Sequence, residues 1–296
     1  MSNNYNNIKK KKKKIILIYN MNPLNNADDQ FQEAVWDTKI NLKIEMAFND
    51  LIDSNIPITL YYTIPRIGYL SKLFGDLIAN FKNNVPMTPE EIWLEYEKIP
   101  IKWQYPLGVI VDSLGIDLKK GPIPFYVHVR NIPKDKVLTY EGLDTLRKYY
   151  FAAIKEANMI KFPKEQKILN LDLDDTKLLN EIINSNQRNL IVDFRKVMNK
   201  VHSNSIIEKY PVRLIFNKTD LIITKPVNVP NEKINTYTLK DYLIDVFGEE
   251  LYNLLKEKTK IIIHGLEIEE QISFLFYYLN FSYMDNFLYI VFYEKS

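Results

Sequence analysis

The chain has 296 residues, of which 46% are hydrophobic and 26% charged, so it is long enough for about two globular domains with hydrophobic cores. Its formal net charge is +2, and because Lys9 to Lys14 contribute six positive charges, the rest of the chain carries −4. This mildly acidic body is not typical of a nucleic-acid-binding protein. The absence of cysteine excludes disulfides, thiolate zinc sites and a cysteine nucleophile.

The first 30 residues are rich in asparagine, are interrupted by the lysine run and predict an unfolded extension. Contact of this run with anionic lipid is the alternative to a simple solvated tail. The apolar residues 15–19 are too few for a secretion signal, and no later run reaches the length of a membrane span. We therefore expect a cytoplasmic protein. No glycine-rich phosphate-binding motif occurs, so no nucleotide cofactor is expected.

The elements of the first half follow one another in the order ββαββαβ. Apolar alternation indicates the strands, spacings of three and four indicate the helices, and a tight turn is predicted at Lys98. The predicted elements are strands at 40–48 and 57–64, a helix at 68–81, strands at 92–97 and 99–103, a helix at 106–114 and a strand at 124–129.

The same order returns in shorter form from about residue 210. The predicted elements there are strands at 210–216 and 221–224, a helix at 238–247, a strand segment at 260–268, a helix at 270–279 and a strand at 286–293.

A mixed sheet with its helices in this order is the ubiquitin-like arrangement. We therefore predict an α+β fold in which two ubiquitin-like (beta-grasp) domains flank a helix-rich domain. Such a fold alone does not specify function. The expected limits are an extension at 1–30, an N-terminal helix and first domain at 31–133, a helical part at 134–205 and a second domain at 206–296.

Several segments resemble the autophagy protein 5 family. The resemblance extends from about Val35 to Tyr293, and the stretch from Trp93 to Gly108 is its most characteristic part. The matching segments are VWDTKI (35–40), IPRIGYL (64–70), EIWLEYEKIPIKWQYPLGVIVDSLG (91–115), YPVRLIF (210–216) and the run from Ile261 to Phe292.

This resemblance implies a scaffold without catalytic residues of its own, which acts within an E3-like complex. One of its lysines would be joined to the C-terminal glycine of the ubiquitin-like modifier autophagy protein 12, with E1 and E2 enzymes as transient partners. The conjugate would bind a helix of autophagy protein 16 in a groove between the two domains. It would promote transfer of autophagy protein 8 onto phosphatidylethanolamine, with peripheral membrane contact at the preautophagosomal structure.

The resemblance also implies the position of the acceptor lysine, because the family has it in a Lys-Glu-Ala context that IKEAN matches at Lys155. Spacing alone places Lys155 about 170° from the centre of an apolar helical stripe, so it should face solvent. Lys148 meets the same criterion, and spacing does not separate the two. The predicted stripe consists of Leu143, Leu146, Tyr150, Ala153, Ala157 and Ile160.

Arg66 and Tyr69, in the segment PRIGYL, are candidate residues of the partner groove. The alternative is that Tyr69 belongs to a helix core and Arg66 to the ordinary surface. A groove that binds a helix needs exposed apolar residues and a few charges.

The remaining candidates have structural explanations. The three histidines lack the spacing of a metal site, and Asp172, Asp174 and Asp175 lack the pattern of a calcium loop, so we expect no metal. Trp93 is expected to pack in the sheet, while Trp103 could pack or lie in a recognition surface.

Two functional hypotheses remain. The first is the conjugated scaffold, and the second is an adaptor that binds the modifier noncovalently, without an isopeptide bond. A hydrolase is not expected, since no nucleophile and base can be paired.

Overall fold

A computed structural model describes residues 35–50, 59–82, 85, 88–163, 173–185, 207–217, 221–233 and 236–295. The extension expected at residues 1–30 and most of the helical pattern expected after 185 lie outside these residues, as do Asp172 and His202. Within the described part, no helix combines the length and apolar character that crossing a membrane requires.

The first domain is a five-stranded mixed sheet with two helices. Its strands lie in the order β2-β1-β5-β3-β4, with β1 and β5 parallel and the other neighbours antiparallel. The predicted ββαββαβ order is confirmed. The elements are β1 (Lys39–Met46), β2 (Thr59–Pro65), α1 (Phe74–Phe81), β3 (Trp93–Tyr96), β4 (Ile99–Pro100), α2 (Leu107–Leu114) and β5 (Ile123–His128).

The alternation of buried and outward-facing residues along β1 shows which face of the sheet packs on the core. Every second residue of β1, from Ile40 to Met46, is buried, and the intervening residues face outward. α2 ends at Gly115, which has the left-handed conformation (φ +64°) that favours glycine.

Two helices are described between the sheets. α3 (Leu143–Lys161) has 19 residues and ends two residues before Pro163, which could not continue it. α4 (Leu173–Ser185) has Asp174 and Asp175 in its first turn, where the helix dipole favours negative charge.

The second domain repeats the first. Its strand order, β7-β6-β10-β8-β9, again has a parallel central pair, β6 and β10. The fold is therefore α+β with two ubiquitin-like domains, as predicted. The elements are β6 (Val212–Phe216), β7 (Ile222–Thr224), α5 (Leu239–Phe247), α6 (Glu249–Lys258), β8 (Thr259–Ile263), β9 (Leu266–Glu267), α7 (Phe274–Phe281) and β10 (Leu288–Glu294).

The segment predicted at 260–268 contains two strands, β8 and β9, which are joined at His264 and Gly265, where both residues have positive φ and reverse the chain. The helix α6 was not predicted, although Glu249 and Glu250 in its first turn and lysines in its last turn match the helix dipole.

The two domains pack directly on each other through α2. The backbone N–H of Gly265, in the second domain, donates to the Asp112 carboxylate at 3.0 Å. Arg66 also pairs with Asp112, and its guanidinium lies beside Gly265. Because both Arg66 and Asp112 are buried, this ion pair is shielded from water.

Candidate functional site

The helix α3 carries Lys155 on its outer face. The expected exposure of Lys155 is confirmed, and Lys148 is exposed as well. Lys161, at the end of the same helix, is buried, and its ammonium lies 5.5 Å from the centre of the Tyr278 ring. Burial lowers the pKa of Lys161 to about 8. A bulky protein could reach Lys155 and Lys148 but not Lys161.

The opposite face of α3 is wider than the predicted stripe. Leu143 is exposed, while Ile154, which the stripe omitted, is completely buried. The helix packs against both domains, so its buried surface covers more than one narrow stripe. The side chains of α3 that are buried are those of Leu146, Tyr150, Ile154, Ala157, Asn158 and Lys161.

Glu156, the residue after Lys155, connects α3 to the second domain. Its carboxylate accepts a hydrogen bond from Arg213 Nη2 on β6 at 2.7 Å, and its second oxygen lies 3.4 Å from the Thr224 hydroxyl on β7. Spacing gave no signal for this contact. The only clue in the sequence was that Glu156 belongs to the Lys-Glu-Ala motif.

A polar cluster surrounds Arg213 where α3 meets both domains. Arg213 Nη1 donates to the Tyr289 hydroxyl at 2.9 Å, and that hydroxyl donates to Asp285 at 2.5 Å. Burial raises the pKa of Asp285, although Arg213 and the Tyr289 hydrogen bond act in the opposite direction. A cavity of about 170 Å³ adjoins the cluster and is also lined by Tyr69 and Tyr150.

Arg66 and Tyr69, the candidate residues of the partner groove, are both buried, and their part in partner binding stays a prediction. Arg66 is 1% exposed and pairs with Asp112, and Tyr69 is 2% exposed and packs edge-on against Tyr150 of α3. The sequence alone favoured a surface position for Arg66, but its guanidinium is paired with the Asp112 carboxylate inside the interface between the domains. The alternative of a core role is correct for Tyr69.

An open cleft lies between the two domains, and neither Arg66 nor Tyr69 is among the residues that line it. It has a volume of about 270 Å³, an apolar floor and three lysines, Lys98, Lys102 and Lys136, at its rim. The β3–β4 hairpin and α2 form one wall, and β6 and β7 contribute to the other. Its apolar lining residues are Ile99, Pro100, Ile101, Val109, Ile110, Leu114, Ile215 and Ile222.

The other aromatic and histidine candidates have structural roles. Trp93 is packed in the sheet, as expected, and stacks on His128 at 4.0 Å between centroids. His128 also lies 3.0 Å from Asp50. Trp103 is completely buried and donates to the Leu138 carbonyl, so it packs in the core.

Within the described part of the chain, histidines and carboxylates form no cluster able to hold a metal ion. His264 is buried and stacks on Tyr283 at 4.0 Å between centroids. The chemistry that the described residues can offer is therefore an exposed amine on a braced helix and an apolar cleft with a basic rim.

Comparison with known proteins identifies both domains. The family model for the UblA domain of autophagy protein ATG5 matches residues 35–131, and that for its UblB domain matches residues 209–292. Autophagy protein 5 of Debaryomyces hansenii is 25% identical over 88% of this chain and 94% of its own length. Autophagy protein 5 of Candida albicans is 24% identical over 91% of this chain and 98% of its own.

The fold is also that of a solved relative. The crystal structure of Kluyveromyces marxianus Atg5 superposes with a TM-score of 0.73 at 20% identity, covering 89% of this chain and 99% of that one. Both domains match family models in the same order, and the relatives align along nearly their whole length. The chain belongs to the autophagy protein 5 family and has a role in autophagy.

Proposed function

We propose that this protein is a conjugation scaffold of autophagy whose Lys155 accepts the C-terminal glycine of autophagy protein 12. The observation that carries the proposal is an exposed lysine, in the family's Lys-Glu-Ala context, on a helix braced between two ubiquitin-like domains. The protein supplies the nucleophile and its position, and the E1 and E2 enzymes supply the catalysis.

The proposed transfer exchanges one acyl bond for another. The Lys155 nitrogen forms a bond to the carbonyl carbon of the modifier's terminal glycine, and the thioester bond to the E2 cysteine breaks. The sulfur leaves as a thiolate, and a base takes the proton that the amine loses. The E2 enzyme or solvent would supply that base.

The cleft between the domains is the proposed site for the helix of autophagy protein 16. An amphipathic helix would place its apolar face against Ile99, Leu114 and Ile222, and polar residues at its edge would meet the lysines of the rim. The assembled complex would then promote transfer of autophagy protein 8 to phosphatidylethanolamine by positioning a separate thioester enzyme. Work at the preautophagosomal membrane requires only peripheral contact.

The mass of the protein isolated from its own cells tests the proposal. We expect a species heavier by one modifier, which Lys155→Arg abolishes because the arginine side chain is a poor nucleophile. Lys148→Arg is the matched control, since Lys148 is exposed on the same helix, and it should leave the conjugate unchanged.

Two other results would contradict the choice of site or of mechanism. A conjugate that persists in Lys155→Arg would place the acceptor elsewhere. An unshifted mass in a protein that still co-purifies with the modifier would favour the noncovalent adaptor.

A further inference from the structure

The carboxylate of Glu156 joins the helix that carries Lys155 to two strands of the second domain. One oxygen pairs with Arg213 on β6 at 2.7 Å, and the other lies 3.4 Å from the Thr224 hydroxyl on β7. Both oxygens are therefore engaged outside the helix.

Arg213 is held in place by its own domain, whether or not Glu156 is present. Its guanidinium lies 3.7 Å from the centre of the Phe287 ring, donates to the Tyr289 hydroxyl at 2.9 Å and is 3.9 Å from Asp285. The Arg213 side chain is only 12% exposed, so it has little freedom to reorient. It is a preformed receptor for one carboxylate of α3.

Two further contacts hold α3 on either side of Glu156. The Tyr150 hydroxyl donates to the Met284 carbonyl at 3.0 Å, and the Lys161 carbonyl accepts from the Glu208 backbone N–H at 2.9 Å. These anchors are about 16 Å apart along the helix axis. The charged contact of Glu156 lies between them and restrains how the helix is rotated about its own axis.

Rotation of α3 determines where the Lys155 amine is presented. Lys155 and Glu156 are neighbours separated by about 100° around the helix, so an anchor at one sets the direction of the other. Loss of the Glu156 contact would leave the backbone hydrogen bonds and the buried face of α3 in place. It would remove a charged restraint next to Lys155 and so widen the range of directions in which the amine is presented.

We propose that Glu156, clamped by Arg213, is a positioning residue for conjugation, which holds the Lys155 amine in line with the thioester of the E2-bound modifier. The inference rests on the proposed function of Lys155. It assigns to Glu156 no contact with the reacting atoms.

The test is a single-turnover transfer assay with full-length protein and purified E2 charged with autophagy protein 12 from the same organism. In Glu156→Ala we expect the rate at saturating protein to fall about tenfold, because a displaced nucleophile loses effective concentration. We expect the half-saturating concentration to change little. A general loss of stability would instead raise the half-saturating concentration, because it lowers the concentration of folded protein.

Asp144→Asn is the matched control. Asp144 lies on α3 and pairs with Arg147 of the same helix at 2.6 Å. Its loss should leave the rate unchanged. If Glu156→Ala lowers the thermal midpoint of unfolding by more than about 5 °C, Glu156→Gln is used in its place, because it retains an acceptor for Arg213. For Glu156→Gln we expect the transfer rate to fall about threefold.

A wild-type rate in a folded Glu156→Ala protein, or in Glu156→Gln where that variant is used, would overturn the inference. Lys155→Arg in the same assay separates the two proposals. Conjugation that survives Lys155→Arg defeats the proposed function. Conjugation that depends on Lys155 but not on Glu156 defeats only the positioning role.

Discussion

Three lysines on α3 have different surroundings, although the sequence presents them alike. Lys148 and Lys155 face solvent, whereas Lys161 is 5% exposed and contacts the Tyr278 ring. Spacing along the helix predicted the exposure of the first two. It does not predict the burial of Lys161, because the second domain covers that end of the helix, where Glu208 bonds to the Lys161 carbonyl.

Burial of Lys161 predicts a specific pH dependence of stability. Its pKa falls from 10.5 to about 8 on folding, so between these values the unfolded chain binds more protons and this contribution to stability rises with pH. Below pH 8 Lys161 is charged in both the folded and the unfolded state, and the whole cost of burying its charge then lowers the stability of the fold. We expect Lys161→Met to raise the free energy of unfolding at pH 7 by about 1 to 3 kcal/mol.

Urea unfolding of both proteins at several pH values measures this difference. The variant's advantage should shrink as pH rises from 8 to 10, because the wild-type lysine then becomes neutral in the folded state. The buried tyrosines titrate in both proteins, so their contribution cancels when the free energy of unfolding of the wild type is subtracted from that of the variant. A difference that is independent of pH would contradict the assignment.

At the scale of elements, the β3–β4 hairpin shapes the cleft. Glu97 and Lys98 both have positive φ, which closes the hairpin tightly and is uncommon for residues other than glycine. The predicted turn at Lys98 is confirmed. The turn places Ile99, which is 41% exposed, and Lys98 along the cleft.

Exposure of Ile99 predicts that it matters more for binding than for folding. Ile99→Asp should weaken binding of the autophagy protein 16 helix at least tenfold, because a charge replaces part of the apolar lining. Isothermal titration calorimetry with the helix from the same organism measures this. Leu254→Asp on α6, where the leucine is 44% exposed and outside the cleft, is the control and should bind normally. Equal affinity for both variants would place the helix elsewhere.

The periodicity of apolar residues predicted most elements, because burial on one face leaves a period of two in strands and of about 3.6 in helices. It missed α6, where Tyr252 is the buried residue and charged side chains surround it. A helix with so small a buried face leaves little periodicity to detect. Its charge pattern was the better signal.

At the scale of the molecule, two glycines allow the domains to approach closely: Gly108 of α2, and Gly115, which follows the last residue of that helix. A β-carbon added at Gly108 would lie 2.4 Å from Arg66 Cγ and 2.5 Å from the Tyr283 hydroxyl. One added at Gly115 would lie 1.8 Å from the Tyr293 ring of the second domain. Both distances are far below van der Waals contact, so these positions require glycine.

Gly108→Ala should therefore destabilise the protein by about 1 to 3 kcal/mol, since the methyl group overpacks the interface around Arg66. Gly75→Ala is the control, because Gly75 is an exposed residue in the first turn of α1 with nothing within 4 Å of an added β-carbon. The helix propensity of alanine should make that variant more stable by up to about 1 kcal/mol. Urea denaturation compares the two, and equal stabilities would show that the interface tolerates the methyl group.

The sequence by itself determined the two repeated sheets, the helix between them and the outward direction of Lys155. These features depend on neighbours a few residues apart, and their patterns are visible along the chain. Only the tertiary structure decided that Arg66 is buried against Asp112, that Glu156 reaches Arg213 and that a cleft lies between the domains. Those contacts join residues 46 and 57 positions apart, or residues of different domains, and only the packing of elements within and between the domains brings them together.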